Sequence, residues 1–171
     1  PLHRFCKTTW NQEMLHTHAG AECAVIGPSL NVDLYYPRPR QQPCWPAGPL
    51  RISAMIRPAT PRRAPEKTLR ILQKIAKRYG KAVEMVLFGE HPEHALFAGL
   101  TEQTQWRCVG KQTACEMAQL FSESDIFVDF SDYQAMGLAA LEAMACATAV
   151  IVPAQGGALS YAKDQDNALV V

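Results

Sequence analysis

From Leu50 onward, short apolar runs alternate with amphipathic stretches, and the alternation predicts the elements. RISAMI (51–56), VEMVLFG (83–89), WRCVG (106–110) and DIFVDF (125–130) read as strands. Between them, PEKTLRILQKIAKRYG (65–80) and TACEMAQLFSES (113–124) read as helices, with a shorter helical stretch in HPEHALFAGL (91–100). In the first helix Pro65 marks the start, Leu69, Leu72, Ile75 and Ala76 share one face, and Gly80 marks the stop. MVLF and DIFVDF are near-continuous apolar runs, as expected of parallel strands covered on both faces. The order implies βαβ units and an α/β, doubly wound parallel sheet of Rossmann-like type.

Ahead of Leu50 the pattern is weaker: an amphipathic helix from about Trp10 to His18, then a strand CAVIG (23–27). Pro37, Pro39, Pro43, Pro46 and Pro49 follow within nineteen residues or so, and predict an extended linker over the surface. Past Asp129, a Gly137 turn opens an apolar helix, LAALEAMA, and AVIVPAQGG (149–157) returns as a strand and a Gly-Gly turn.

The chemistry concentrates at that turn. Glu142 lies among Leu141, Ala143, Met144 and Ala145, where an unpaired carboxylate costs about 3–5 kcal/mol, so it requires donors. Gly137 starts a helix whose free N–H groups attract phosphate. Glu142 follows about 7.5 Å farther along the axis, near the offset between a nucleotide's diphosphate and its ribose hydroxyls. In such sheets ligands bind beyond the carboxyl ends of the strands. There the loop RPATPRRAP holds Arg57, Arg62 and Arg63 between Pro58, Pro61 and Pro65, three guanidinium groups suited to a diphosphate. Ser131 and Tyr133 read as a cap and a packing aromatic ahead of any donor contact, and Asp129 as structural.

The stretch from Gln134 to Gly157 resembles the signature of retaining GT-B glycosyltransferases, Glu, seven residues, Glu. Gln134 stands at the first Glu, Met136-Gly137-Leu138 at the Phe-Gly pair, and Glu142 at the second Glu. Ser160 stands where a further Glu is frequent, and residues 167–171 match a closing strand. The resemblance implies one half of a GT-B enzyme, with residues 1–49 the end of the N-terminal half and the interdomain linker, LNVDLYYP being the junction. Residues 50–171 would be the nucleotide-sugar donor-binding domain, truncated at a strand.

By the same resemblance Arg57 and Arg62, with Arg63 beside them, clasp donor phosphates. Val109 and Gly110, in the loop running to Lys111, meet the nucleobase through backbone groups, Met136, Gly137 and Leu138 line the phosphate turn, and Glu142 binds ribose. Gln134 and Glu142 hold the catalytic positions. An amide at Gln134 keeps hydrogen bonds to the transferred sugar and loses the charge that favours an oxocarbenium-like transition state. RPATPRR is similar to bacterial polysaccharide transferases, including rhamnosyl-type ones. Expected partners are a nucleotide-sugar donor, an N-terminal acceptor domain, and a glycan or lipid-linked acceptor, with membrane contact through the other half. A degenerate binding module, and a GT-B epimerase or phosphorylase, are the alternatives.

Composition is that of a globular domain, 48% hydrophobic and 19% charged over 171 residues, and a net charge of +1 does not suggest a nucleic-acid binder. Six cysteines without CxxC spacing read as reduced, implying a cytoplasmic compartment. His16, His18, His91 and His94 lack partners at metal-binding spacing, so no metal or cofactor is expected. No G-x-S-x-G elbow or G-x-G-x-x-G turn is present, and Glu142 has only Asp129 and Asp132 as nearby acids.

Overall fold

The structure, a computed structural model, describes residues 3–100 and 105–171. The strands are β1 (Phe5–Cys6), β2 (Ala24–Val25), β3 (Leu50–Met55), β4 (Val83–Phe88), β5 (Trp106–Cys108), β6 (Ile126–Val128), β7 (Ala149–Val152) and β8 (Leu169–Val170). The helices are α1 (Thr9–Ala19), α2 (Pro65–Tyr79), α3 (Ala114–Glu123) and α4 (Leu138–Ala145). Strands β3 to β8 form one six-stranded parallel sheet in the order β5-β4-β3-β6-β7-β8. The doubly wound expectation is met, and the order reverses between β3 and β6, where crevices form in such sheets.

Alternation along the strands feeds two cores. Ile52, Ala54, Val83, Met85 and Leu87 pack with Leu69, Leu72 and Ala76 of α2 on one face. Phe88, Phe127, Val150 and Val152 pack with Met117 and Phe121 of α3 and Ala139, Ala140 and Ala143 of α4 on the other. Apolar residues in both phases of a strand are what two covered faces require. α2 begins at Pro65 and ends at Gly80 (φ 53°), as read.

Several expectations need correction. HPEHALFAGL contains only a single 3-10 turn, Ala95–Phe97, because Pro92 and Gly99 leave too few residues for a helix. WRCVG ends its pairing at Cys108 and DIFVDF at Val128. α1 has no buried side chain, so its apolar residues do not form a core-facing stripe. It is held instead through its cap: the buried Thr8 hydroxyl accepts from Asn11 N–H (3.2 Å) and donates to Ala135 C=O (3.0 Å). β2 pairs with β1, a strand the sequence did not announce, and the Cys6 and Cys23 thiols meet at 3.4 Å.

The proline-rich linker has no regular element, as expected, yet it does not stay on the surface. Tyr35 is 7% exposed and joins the α3/α4 core, with Leu30 and Leu34 beside it. Arg40 pins the later part, donating to Ser122 C=O (2.9 Å) and pairing with Asp125 (2.6 Å). No helix among the described residues is long and apolar enough to cross a membrane.

Candidate functional site

The segments after β3, β4 and β5 and the start of α4 enclose a cavity of about 760 Å3 beyond the strand ends. Arg57, Arg63, Gly89, Glu90, Lys111, Leu138, Ala139 and Glu142 are among its lining residues. One wall is the start of α4. Gly137 caps that helix at φ 73°, and a side chain there would press against the Tyr161 hydroxyl, which donates to Gly137 C=O (2.6 Å). No side chain caps α4, so its first N–H groups remain for an anion.

Glu142 lines the cavity one turn inside the helix. Burial raises its proton affinity, and the neighbouring Tyr35 hydroxyl opposes that effect. Burial, and then the Glu142 charge, pushes the Tyr35 phenol up to about 12, so it stays protonated near neutrality.

The three arginines of the β3 loop divide. Arg57 and Arg63 line the cavity, whereas Arg62 turns toward Gln134, donating to its Oε1 (3.2 Å), and lies over the Tyr133 ring at 5.7 Å. Arg63 faces Asp129 at 3.7 Å, and its Nε is buried without a hydrogen-bond partner among the described residues. Burial, and then Arg57 and Arg62, disfavour the Arg63 charge, while Asp129 supports it. A guanidinium stays protonated regardless, so the loop carries excess positive charge that an anion would relieve.

Gln134 is 2% exposed and does not line the cavity. Its Nε2 donates to Asp129 (3.0 Å) and Ser131 Oγ (2.7 Å), Ser131 donates to Asp129 in turn, and the backbone of Gln134 pairs with Gln155 and Gly157. Each polar atom of the amide has a protein partner. Asp129 is thus structural, as read, and Ser131 belongs to its network. Tyr133 packs on Trp10 at 5.8 Å between ring centroids.

On the far side, Val109 and Gly110 offer less backbone than the reading supposed. Val109 C=O accepts from Gln112 Nε2 (2.5 Å), Val109 N–H donates to Leu87 C=O (2.8 Å), and Gly110 C=O accepts from Gly89 N–H (2.9 Å). Neither residue, nor Met136, lines the cavity; Lys111 and Gln112 do. Ser160 is exposed in the turn Gly157–Ser160. Among the described residues no cluster of His, Cys, Asp and Glu is suited to a metal ion. His91 and His94 accept from nearby N–H groups (3.3 and 3.2 Å), as capping histidines do.

Lys111, at the end of the loop read as meeting the nucleobase, does line the cavity, whereas sequence reading missed Tyr35, Glu90 and Gln112. The aromatic pair Tyr35-Tyr36 inside a proline-rich run was the available signal, since an apolar ring in a surface linker needs somewhere to go. The other two follow the ends of β4 and β5, a position that itself was the signal.

Comparison of the sequence with curated proteins gives no match. Among solved structures, HepE from Anabaena, in complex with UDP and glucose, is similar with a TM-score of 0.76 and 18% identity, over 98% of this chain and 48% of that one. Sucrose-phosphate synthase from Thermosynechococcus elongatus gives 0.74 and 22%, over 98% and 44%. The C-terminal domain of the group 1 family glycosyl transferase LpcC from Francisella tularensis gives 0.65 and 24%, over 84% and 80%. The chain spans about half the length of the first two. The profile described as "Glycosyl transferases group 1" matches residues 52–171, the whole six-stranded sheet except its first two residues, and the chain belongs to that family.

Proposed function

We propose that the cavity between the β3 loop and the start of α4 holds a nucleoside-diphosphate sugar, and that the protein is the donor-binding part of a retaining glycosyltransferase of the Glu-x7-Glu GT-B group. One observation carries this reading: Arg57, Arg63 and the uncapped start of α4 converge on the same cavity into which Glu142 projects. Two guanidinium groups and a helix N-terminus suit a diphosphate, and a carboxylate beyond them suits a ribose diol. UDP bound to HepE is consistent with it.

In this reading Arg57 and Arg63 hold the phosphates and offset the charge that grows on the leaving diphosphate, with no metal required. Arg62 is a positioning residue that ties Gln134 to the arginine loop. The donor phosphate itself takes the acceptor's proton on the same face. The acceptor, a glycan or lipid-linked sugar, is met by an N-terminal half beyond residues 50–171, with residues 1–49 as its end and the linker. We place the enzyme in bacterial polysaccharide synthesis, rhamnosyl transfer included, on the cytoplasmic side.

Calorimetric titration with UDP, GDP, dTDP and ADP tests the site. One nucleotide should bind selectively, and Arg57→Ala and Glu142→Ala should each abolish most of that affinity. A folded protein that binds none of them would overturn the reading. A second reading, a binding module that has lost catalysis, is favoured by Gln134, whose amide is buried away from the cavity. Nucleotide binding without sugar transfer in the assembled enzyme would select it.

A further inference from the structure

We propose that Cys6 and Cys23 form a reversible modification site, a thiol pair that a low-molecular-weight disulfide such as glutathione disulfide oxidises to a cross-link around α1. The inference is independent of the donor-site reading and concerns what holds the segment ahead of the six-stranded sheet.

Register brings the two sulfurs together. In the parallel β1–β2 pair Cys6 stands opposite Val25, and Cys23, just ahead of β2, lies two residues before Val25 and so on the same side. The Cys23 thiol donates to Cys6 Sγ at 3.4 Å, and the Cys6 thiol donates to Thr8 C=O (3.3 Å). Both side chains are half-buried, within reach of a small oxidant, whereas Cys146 is buried. Among the described residues theirs is the only contact between two thiols.

The chemistry is two exchange steps. The Cys6 thiolate attacks one sulfur of glutathione disulfide and displaces a first glutathione thiolate. The Cys23 thiolate then attacks Cys6 Sγ in the mixed disulfide and displaces the second. Two protein thiols are oxidised, one glutathione disulfide is reduced to two glutathione molecules, and these take up the two thiol protons. Partial burial and the Cys6 thiol push the Cys23 thiol up, so Cys23 suits the second step, where nearness replaces acidity. The consequence follows from how lightly this segment is held. α1 has no buried side chain, and β1 and β2 are two residues each, features of a region that opens locally. The two cysteines are 17 residues apart in sequence and bracket α1, so a bond between them removes open states of the whole loop. Thr8, beside Cys6, holds Ala135 C=O (3.0 Å), and oxidation thereby also firms the hold on the loop that leads into α4.

The test uses the full chain carrying Cys44→Ser and Cys115→Ser, which removes the two exposed thiols. The protein is treated with glutathione disulfide and afterwards with dithiothreitol. Lys7 lies between the two cysteines, so trypsin places them on separate peptides that only a disulfide joins. Non-reducing mass spectrometry should find those peptides joined after the first treatment and apart after the second. Amide hydrogen exchange across Thr9–Ala19 should slow about 10–100-fold on oxidation, and the same treatment should leave it unchanged when Cys23→Ser is added. Glutathione retained on Cys6 or Cys23 without a cross-link, or no reaction at either, would overturn the site. A cross-link that leaves exchange in α1 unchanged would overturn its role in holding the segment.

Discussion

Gln134→Glu installs the glutamate of the Glu-x7-Glu signature that this stretch resembles, yet the geometry of the site predicts that the change destabilises this chain. Gln134 Nε2 donates to Asp129 (3.0 Å) and Ser131 (2.7 Å), and Oε1 accepts from Arg62 (3.2 Å). A glutamate turns the donor into an acceptor facing the Asp129 carboxylate. At an effective dielectric of about 20, the repulsion at that distance is about 5.5 kcal/mol and the new attraction to Arg62 about 5 kcal/mol, so the two nearly cancel. What remains is the loss of two donated bonds, one of them to a charge, together about 2–4 kcal/mol. For a chain of this size that is a fall in Tm of roughly 5–15 °C at pH 8. One proton shared by the two carboxyls would restore the lost bond. The variant's folded state therefore holds that proton to a higher pH than the unfolded state does. Its deficit is accordingly smallest in acid and grows as pH rises. Thermal melts of both proteins at pH 5 and pH 8 provide the measurement. A variant as stable as wild type at pH 8, or one whose deficit ignores pH, would refute the account of the Asp129–Ser131–Gln134 network.

Three further outcomes are expected. Alanine at Arg57 or Arg63 should weaken nucleotide binding about 10–100-fold by calorimetry, whereas Arg62→Ala should cost mainly stability; an Arg62 effect on affinity larger than that of Arg63 would contradict the division of the loop. Gly156→Ala should unfold the site loop, since φ is 115° and the new Cβ would overlap the Gln134 carbonyl oxygen, while Gly20→Ala, at φ 57° with open space, should cost only about 1–2 kcal/mol; equal Tm losses would count against this geometry. Tyr35 titrates higher in the folded state than its ordinary value of 10, at about 12, and burial raises Tyr161 too, so both favour folding below pH 10 and lose that contribution as pH climbs from 10 toward 12. Alkaline melts of Tyr35→Phe plus Tyr161→Phe should fall less steeply than wild type, and parallel curves would argue against buried neutral phenols.

Local signals carried most of the fold. α2 was legible because Pro65, Gly80 and the Leu69–Leu72–Ala76 face all agree, and β4 because its apolar residues serve two covered faces. β6 ended early because the Asp129 side chain folds back onto Ser131 N–H (3.0 Å), a local bond that competes with the ladder. The site was legible as a location, since strand ends and the Gly137 turn converge there. Its internal wiring was not. Arg62 meets Gln134 across 72 residues of sequence, and Arg63 joins Arg57 at the cavity where the family resemblance had favoured Arg62. Which of two adjacent guanidinium groups faces inward is decided by the twist of a short 3-10 turn, Pro61–Arg63, which no periodicity announces. Tyr35 was hidden because proline content marks a segment as extended without saying which ring it buries.

Thr8 gives the N-terminal segment a grip on the loop that leads into α4. Its hydroxyl serves α1 and the Ala135 carbonyl together, and Gly157 has no room for even a methyl group beside it. A helix without one buried side chain is thereby latched to the Gln134–Gly137 turn by Thr8, with Trp10 packed on Tyr133 beside it. Such a latch is mechanically stiff but thermodynamically shallow, of the order of 1 kcal/mol for its hydrogen bond. A pull on residues 5–25 is then felt first at the turn that opens α4.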